Sequence, residues 1–362
     1  MSFKALLESL PIPILQAPMA GAVFDAMTVA VCEAGGMGGL PLAGVAPADI
    51  GAAIDGVRAR TGAPFAANLL MAPPLRPEAA ELDSALARLA PWYAELGLPL
   101  PEHPNRFSYD FDAQLEALTR AAPPVASFSF SILTPAQVDA LHAAGSYVVG
   151  SANTVAEAIA WVEVGADGVC AQGYEAGGHH GHFLADIEGS SVGTLALVAT
   201  TLQAVDVPVI AAGGIMDGRG VAAALALGAS AVQMGSAFLL ADEATVSETW
   251  RQAIADAGSD ATRLTRAFSG RYARGLENRF VREMAAQQDA VPPYPVQNRL
   301  TQAMRAAADK AGDPEYMSLW AGQAVKLARP GSAGEMVKAW WAQAQGAAER
   351  LQARTQRPAQ PA

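Results

Sequence analysis

The segment Gly173-Tyr174-Glu175-Ala176-Gly177-Gly178-His179-His180-Gly181-His182 gathers three of the chain's five histidines. An imidazole titrates near neutral pH, so a histidine there can give or take a proton, and paired glycines let the backbone turn sharply and approach a ligand. A histidine-rich surface loop is the bland alternative. A dedicated metal site is disfavoured, because adjacent histidines point apart and no carboxylate accompanies them at ligand spacing.

A second segment, Val207-Pro208-Val209-Ile210-Ala211-Ala212-Gly213-Gly214-Ile215, leads through Asp217 and Gly218 into a helical stretch and then to Gly235-Ser236. Glycine turns of this kind expose backbone N–H groups and a helix N-terminus to a phosphate. A sugar phosphate would be served as well as a nucleotide. Gln16-Ala17-Pro18-Met19-Ala20-Gly21 offers small residues and a proline against which a flat ring could lie. Asn68, Ser127 and Ser129 add polar tips to the same mouth.

These residues need a scaffold that brings strand ends together. Eight short apolar runs, 12–19, 38–43, 65–70, 125–130, 147–151, 168–172, 207–212 and 231–235, alternate with Ala-rich stretches of helical period. That alternation predicts an α/β chain folded as a (β/α)8 TIM barrel. Thr134 with Pro135 and Thr154 with Glu157 mark helix starts, the second as a capping box, and Gly145 and Gly165 mark helix stops. Gly165-Ala166-Asp167-Gly168-Val169 and Gly228-Ala229-Ser230-Ala231-Val232 repeat one helix-to-strand junction. Gly35-Gly36-Met37-Gly38-Gly39 precedes a strand and reads as a turn, since a dinucleotide fingerprint must follow one.

Two stretches interrupt the rhythm. Residues 72–124, with Trp92, Tyr93, Phe107, Tyr109 and Phe111, and residues 240–328, read as helices, both follow strand ends and belong over the catalytic face. The expected division is a barrel from 1–72, 122–240 and 329–352, a smaller helical substrate or lid domain from 73–121 and 241–328, and a flexible tail at 353–362. An amphipathic helix closes the chain from 332 to about 351, with Met336, Trp340, Ala344 and Leu351 on one stripe.

Composition narrows the partners. With 362 residues, 51% of them hydrophobic and 16% charged, the chain can bury a parallel sheet on both faces. A formal net charge of −11 argues against nucleic acid and anionic membrane, which are bound through clustered Lys and Arg. Residues 1–11 lack the features of a secretory signal and no long apolar span follows, which points to a soluble cytoplasmic protein. Cys32 and Cys170 read as core cysteines.

Together the motifs resemble the nitronate monooxygenase (2-nitropropane dioxygenase) family, from the first strand to the final helix. The resemblance rests on Gln16-Ala17-Pro18-Met19, Gln172-Gly173, Glu175-Ala176-Gly177-Gly178-His179, Ala212-Gly213-Gly214-Ile215 and Gln233-Met234-Gly235-Ser236. Phe268-Ser269-Gly270-Arg271-Tyr272-Ala273-Arg274-Gly275 and Leu319-Trp320-Ala321-Gly322-Gln323 extend it. It implies a flavoprotein holding FMN non-covalently through Ala17, Pro18, Met19, Asn68, Gln172, Gly177, Gly178, Ala212, Gly213, Gly214, Gly235 and Ser236. His179 takes the catalytic position, and Ser129, Tyr294 and Trp320 are substrate candidates. The implied reaction is oxidative denitrification, in which an alkyl nitronate and O2 give a carbonyl compound and nitrite without a nicotinamide cofactor or a metal. Propionate 3-nitronate is a natural candidate substrate for the family.

Two departures stand out. Relatives commonly carry Ser-Phe-His-Phe-Gly on strand four, whereas this chain has Ser127-Phe128-Ser129-Phe130-Ser131; Ser236 replaces a frequent Thr. The alternatives are an FMN-dependent enoyl-acyl-carrier-protein reductase or NAD(P)H:quinone reductase, and a non-redox barrel that binds a phosphorylated metabolite. The sequence does not give the oligomeric state.

Overall fold

The computed structural model describes residues 1–356. Its strands are β1 (Ile14–Gln16), β2 (Gly39–Pro41), β3 (Ala66–Leu70), β4 (Val125–Ser129), β5 (Tyr147–Ala152), β6 (Gly168–Gln172), β7 (Gly178–His179), β8 (Val209–Ala212), β9 (Ala231–Met234), β10 (Thr262–Thr265) and β11 (Ala273–Leu276). Eight of them pair in parallel in the order β1-β9-β8-β6-β5-β4-β3-β2. A parallel bridge between Leu15 and Met37 closes the seam. There the Gln16 N–H donates to the Met37 carbonyl at 3.0 Å and the Met37 N–H to the Ile14 carbonyl at 3.1 Å. Each of the eight apolar runs matches one barrel strand, β5 extending one residue past its run, and the chain is a (β/α)8 barrel.

The N-terminal helix Phe3–Glu8 closes the barrel floor. Phe3, Leu6, Leu7 and Leu10 pack with the interior residues Leu15, Met37, Val125, Val149, Cys170 and Ile210. Gly168 has no side chain because a Cβ there would lie 2.5 Å from the Phe3 ring. Burial pushes the Cys32 and Cys170 thiols up to about 11 and about 12, as befits core cysteines.

The segment 241–328 departs from its all-helical reading. β10 and β11 form an antiparallel hairpin, and β7 adds to its edge, with Ala273 opposite His179 and Arg274 opposite Gly178. Each hairpin strand has only four residues. Such a run is too short to show an alternation, and the third strand of the sheet comes from the histidine segment far upstream.

In the other insertion, helices Ala79–Glu95 and Phe111–Ala121 carry Trp92, Tyr93 and Phe111, while Phe107 and Tyr109 lie in the connection between them. Trp92 meets Phe280 and Tyr316 at centroid distances of 5.3 and 6.1 Å, and the Tyr93 hydroxyl donates to the Leu300 carbonyl at 2.6 Å. These rings therefore fasten the two insertions to each other. The last helix, Ala333–Thr355, buries Met336 and Ala344 and sets Trp340 against Phe238, but Leu351, on the same stripe nearer the helix end, lies exposed. Of the tail expected at 353–362, residues 353–355 are helical and 357–362 lie outside the described residues. No helix among the described residues is long and apolar enough to cross a membrane.

Candidate active site

The histidine segment leaves β6 under close steric control. A Cβ on Gly173 would lie 2.1 Å from Thr194 Oγ1, and one on Gly177 would lie 2.4 Å from the Gly322 nitrogen. Glu175 accepts from the Thr194 N–H at 2.9 Å and the Thr194 hydroxyl at 2.8 Å, fixing the turn to the start of helix Thr194–Ala204. Gly177 and Gly178 thus give way to the Ala321-Gly322 backbone and to the β7 edge, and His179 is delivered on a strand.

Its imidazole sits among Phe130, Tyr294 and Trp320, at centroid distances of 5.5, 5.5 and 5.4 Å. Nε2 is buried without a hydrogen-bond partner. Burial, reinforced by Arg271 and Arg305, lowers the His179 pKa to about 3, so the ring is neutral at physiological pH. Phe130 itself holds φ +85°, a left-handed conformation that costs an aromatic residue about 1–3 kcal/mol and marks functional sites.

Arg271 and Arg305 are half-buried cations without a carboxylate within 4.0 Å among the described residues. Arg271 lies over the Phe130 ring at 4.3 Å from its centroid. Arg305 donates to Asn298, Thr301 and Ser318. Burial lowers each guanidinium to about 10, which leaves both charged.

His180 and His182 differ from His179. His180 is fully buried against Tyr174 at 5.7 Å, with both ring nitrogens unpartnered and its pKa lowered to about 3 by burial. His182 is lowered to about 4, chiefly by burial.

Across the mouth, Gly213 and Gly214 have φ values of +111° and +70°. A Cβ on Gly235 would meet Met19 Sδ at 3.4 Å and Ala17 Cβ at 3.5 Å, so the ends of β1 and β9 adjoin there. Among the described residues no group accepts from the backbone N–H of Gly213, Gly214, Gly235 or Ser236. The following helix terminus is not free for a phosphate: Asp217 caps it, accepting from the Arg219 and Gly220 N–H groups at 2.9 and 3.2 Å. Ser236 Oγ already accepts from the Gly322 N–H at 2.8 Å. A cavity of about 410 Å³ opens beside the turn, lined by Glu175, Thr194, Gly213, Gly214 and Gln323 but not by His179.

The remaining candidates hold the mouth together. Gln16 accepts from the Gly39 N–H at 3.0 Å, tying β1 to β2, while Pro18 packs beside Gly39. Asn68 Nδ2 donates to the Ser127 carbonyl and hydroxyl, both at 3.1 Å, and Ser129 Oγ lies 2.8 Å from Ser151 Oγ. Gln172 spans the histidine loop, its Nε2 donating to the His179 carbonyl at 3.2 Å and its Oε1 accepting from the Gly181 N–H at 2.9 Å. Ala212 accepts from the Gly173 N–H at 2.9 Å.

Sequence reasoning gave no role to Phe130, Arg271 or Arg305. It read Glu157 as half of a capping box. Thr154 does cap its helix, but the Glu157 carboxylate turns away and accepts from the Asn153, Phe183 and Leu184 N–H groups at 2.7, 2.6 and 3.0 Å.

A closed parallel barrel with a neutral histidine after β6 and open glycine turns after β8 and β9 has the arrangement of (β/α)8-barrel enzymes, whose sites lie at the strands' C-terminal ends. Residues 4–342 match the family described as nitronate monooxygenase. A probable nitronate monooxygenase of Staphylococcus aureus strain Newman is 38% identical over 321 residues, 88% of this chain and 90% of that one. Among solved structures, the nitroalkane oxidase from Streptomyces ansochromogenes is 40% identical with a TM-score of 0.88, over 96% of this chain and 99% of that one. FabK from Thermotoga maritima is 29% identical with a TM-score of 0.75, over 97% of this chain and 98% of that one. The chain belongs to the nitronate monooxygenase family and is an oxidoreductase.

Proposed function

We propose that the chain is an FMN-dependent nitronate monooxygenase, converting an alkyl nitronate and O2 to a carbonyl compound and nitrite. The observation that carries this reading is the unpartnered, buried Nε2 of a neutral His179, walled by Phe130, Tyr294 and Trp320 and flanked by two arginines without carboxylate partners. A neutral imidazole can accept the α-proton of a nitroalkane or, as the other tautomer, donate to a nitronate oxygen. The arginines favour an anionic substrate, and the rings exclude water from the reacting carbon.

The residues fit FMN. Unused N–H groups at Gly213, Gly214, Gly235 and Ser236 suit the phosphate, and Ala17, Pro18, Met19, Asn68, Gln172, Gly177, Gly178 and Ala212 are the residues we assign to the ring. When bound, FMN supplies the electron acceptor for nitronate oxidation. The nitroalkane oxidase similarity supports nitro-compound chemistry.

An absorbance spectrum followed by an aerobic nitrite assay with ethyl nitronate tests the reading. Yellow protein that releases nitrite and is not bleached by NADH or NADPH without oxygen is expected. Colourless protein, or flavin reduced by the nicotinamide without nitrite release, would overturn it.

A further inference from the structure

We propose that Glu157 and Arg271 are the two jaws of a clamp on the backbone of residues 180–184, and that this clamp positions the His179 imidazole. The peptide groups of the loop sort by polarity between the jaws. The Phe183 and Leu184 N–H groups turn to Glu157 at 2.6 and 3.0 Å. The His180 and His182 carbonyls turn to Arg271, the first at 2.9 Å from Nε and the second to the neighbouring Nη2. Two further bonds hold the middle, the His180 N–H donating to the Tyr272 carbonyl at 3.0 Å and the Gly181 N–H to Gln172 Oε1 at 2.9 Å.

The jaws come from distant parts of the fold. Glu157 lies on helix Val155–Glu163 after β5, and Arg271 lies in the connection between β10 and β11. Glu157 is fully buried, and neither residue has an ion-pair partner within 4.0 Å among the described residues. Withdrawing a charge from water is costly unless it is hydrogen-bonded, and here peptide groups make those bonds, while the Glu157 charge also steadies the half-buried Arg271 guanidinium at longer range. Only a planar guanidinium presents two donors in fixed directions to two carbonyls; an ammonium does not. Arg271 also lies 4.3 Å over the Phe130 ring, which meets the His179 ring at 5.5 Å, so one cation sets both the loop and part of the wall around the imidazole.

Glu157 and Arg271 are therefore positioning residues. Their catalytic consequence rests on the proposed role of His179, whereas the state of the loop does not. The test measures amide hydrogen exchange at His180, Gly181, Phe183 and Leu184 in the purified flavin-loaded enzyme, together with kcat and KM for ethyl nitronate, in E157Q, R271K and the double variant. If the loop is held as one piece, E157Q should speed exchange about tenfold or more at His180 and Gly181 as well, although their own acceptors are intact. R271K should do the same, each variant should lose kcat by about tenfold with KM changed far less, and the double variant should fall little below the worse single.

Faster exchange confined to Phe183 and Leu184 in E157Q, an unaltered kcat in R271K, or losses that multiply in the double variant would overturn the clamp. Should R271K fail to fold, the His180 and Gly181 amides in E157Q decide alone. A wild-type enzyme that releases no nitrite, with exchange responding as expected, would leave the clamp standing and remove the oxygenase reading.

Discussion

The two sides of the barrel mouth are built by opposite means. On the glycine side the groups proposed to bind are backbone N–H groups, left free where residues 213–214 and 235–236 leave the ladder. On the histidine side much of the backbone of residues 179–184 is bonded to Gln172, Glu157 and Arg271, and the group proposed to act is one side chain, the His179 imidazole. A phosphate needs only donors at a steady radius, which a local turn supplies; proton transfer needs one nitrogen at one angle, which requires partners from several elements.

The largest effect expected from breaking this contrast is at Gly235. Gly214 is a poor probe, since its φ of +70° and a Cβ position 3.1 Å from Glu175 Cβ would strain any replacement. Gly235 has ordinary room for a Cβ, so Gly235→Val should fold while its methyl groups fill the cradle. Flavin affinity should fall by about a hundredfold, the equivalent of two lost charge-assisted bonds, read as lost flavin absorbance after dialysis. A fully yellow variant would move the phosphate elsewhere.

A smaller effect concerns the histidine side alone. His179, His180 and His182 have folded pKa values depressed to about 3, about 3 and about 4, so unfolding takes up protons below the unfolded value near 6.5. Stability is therefore complete above that pH and falls as pH drops from about 6.5 toward about 3. For fully buried His180 the slope approaches about 1.4 kcal/mol per pH unit, and Tm measured across this window should decline steeply. A His180→Leu variant should flatten the slope; an unchanged slope would show that this imidazole is protonated in the folded chain.

The smallest expected effect is in substrate choice. Tyr294 and Trp320 touch His179, whereas Trp92 and Tyr93 face the other insertion. Tyr294→Ala should shift relative rates among nitronates of increasing chain length by about tenfold per methylene at most, and Trp92→Ala should not. A flat series for Tyr294→Ala would place that ring outside the substrate pocket.

How much of this was legible in the sequence follows from the same contrast. The barrel strands, the glycine turns and the His179 block announce themselves through local spacing, because period and positive φ are local properties. Arg271 was visible in the Phe268–Gly275 block, but its carbonyl partners lie 91 and 89 positions upstream. Glu157 satisfied a capping pattern that its own fold did not use, since three backbone donors, two of them from the loop 26 and 27 positions away, compete for its carboxylate. The hairpin β10–β11 was hidden for a related reason, its register depending on a third strand from the histidine segment.

His179 is the point on which the account turns, and nitrite release by His179→Asn from two substrates tests it most directly. A preformed nitronate has already lost its α-proton, and Asn can still donate a hydrogen bond to it. Turnover of the neutral nitroalkane should therefore fall by about 10²–10⁴-fold, while the nitronate reaction should fall by roughly tenfold or less. His182→Asn is the control and should leave both rates near wild type, whereas His180, fully buried, would report stability instead. Equal, small losses on both substrates would contradict the account and place the reacting base elsewhere in the mouth.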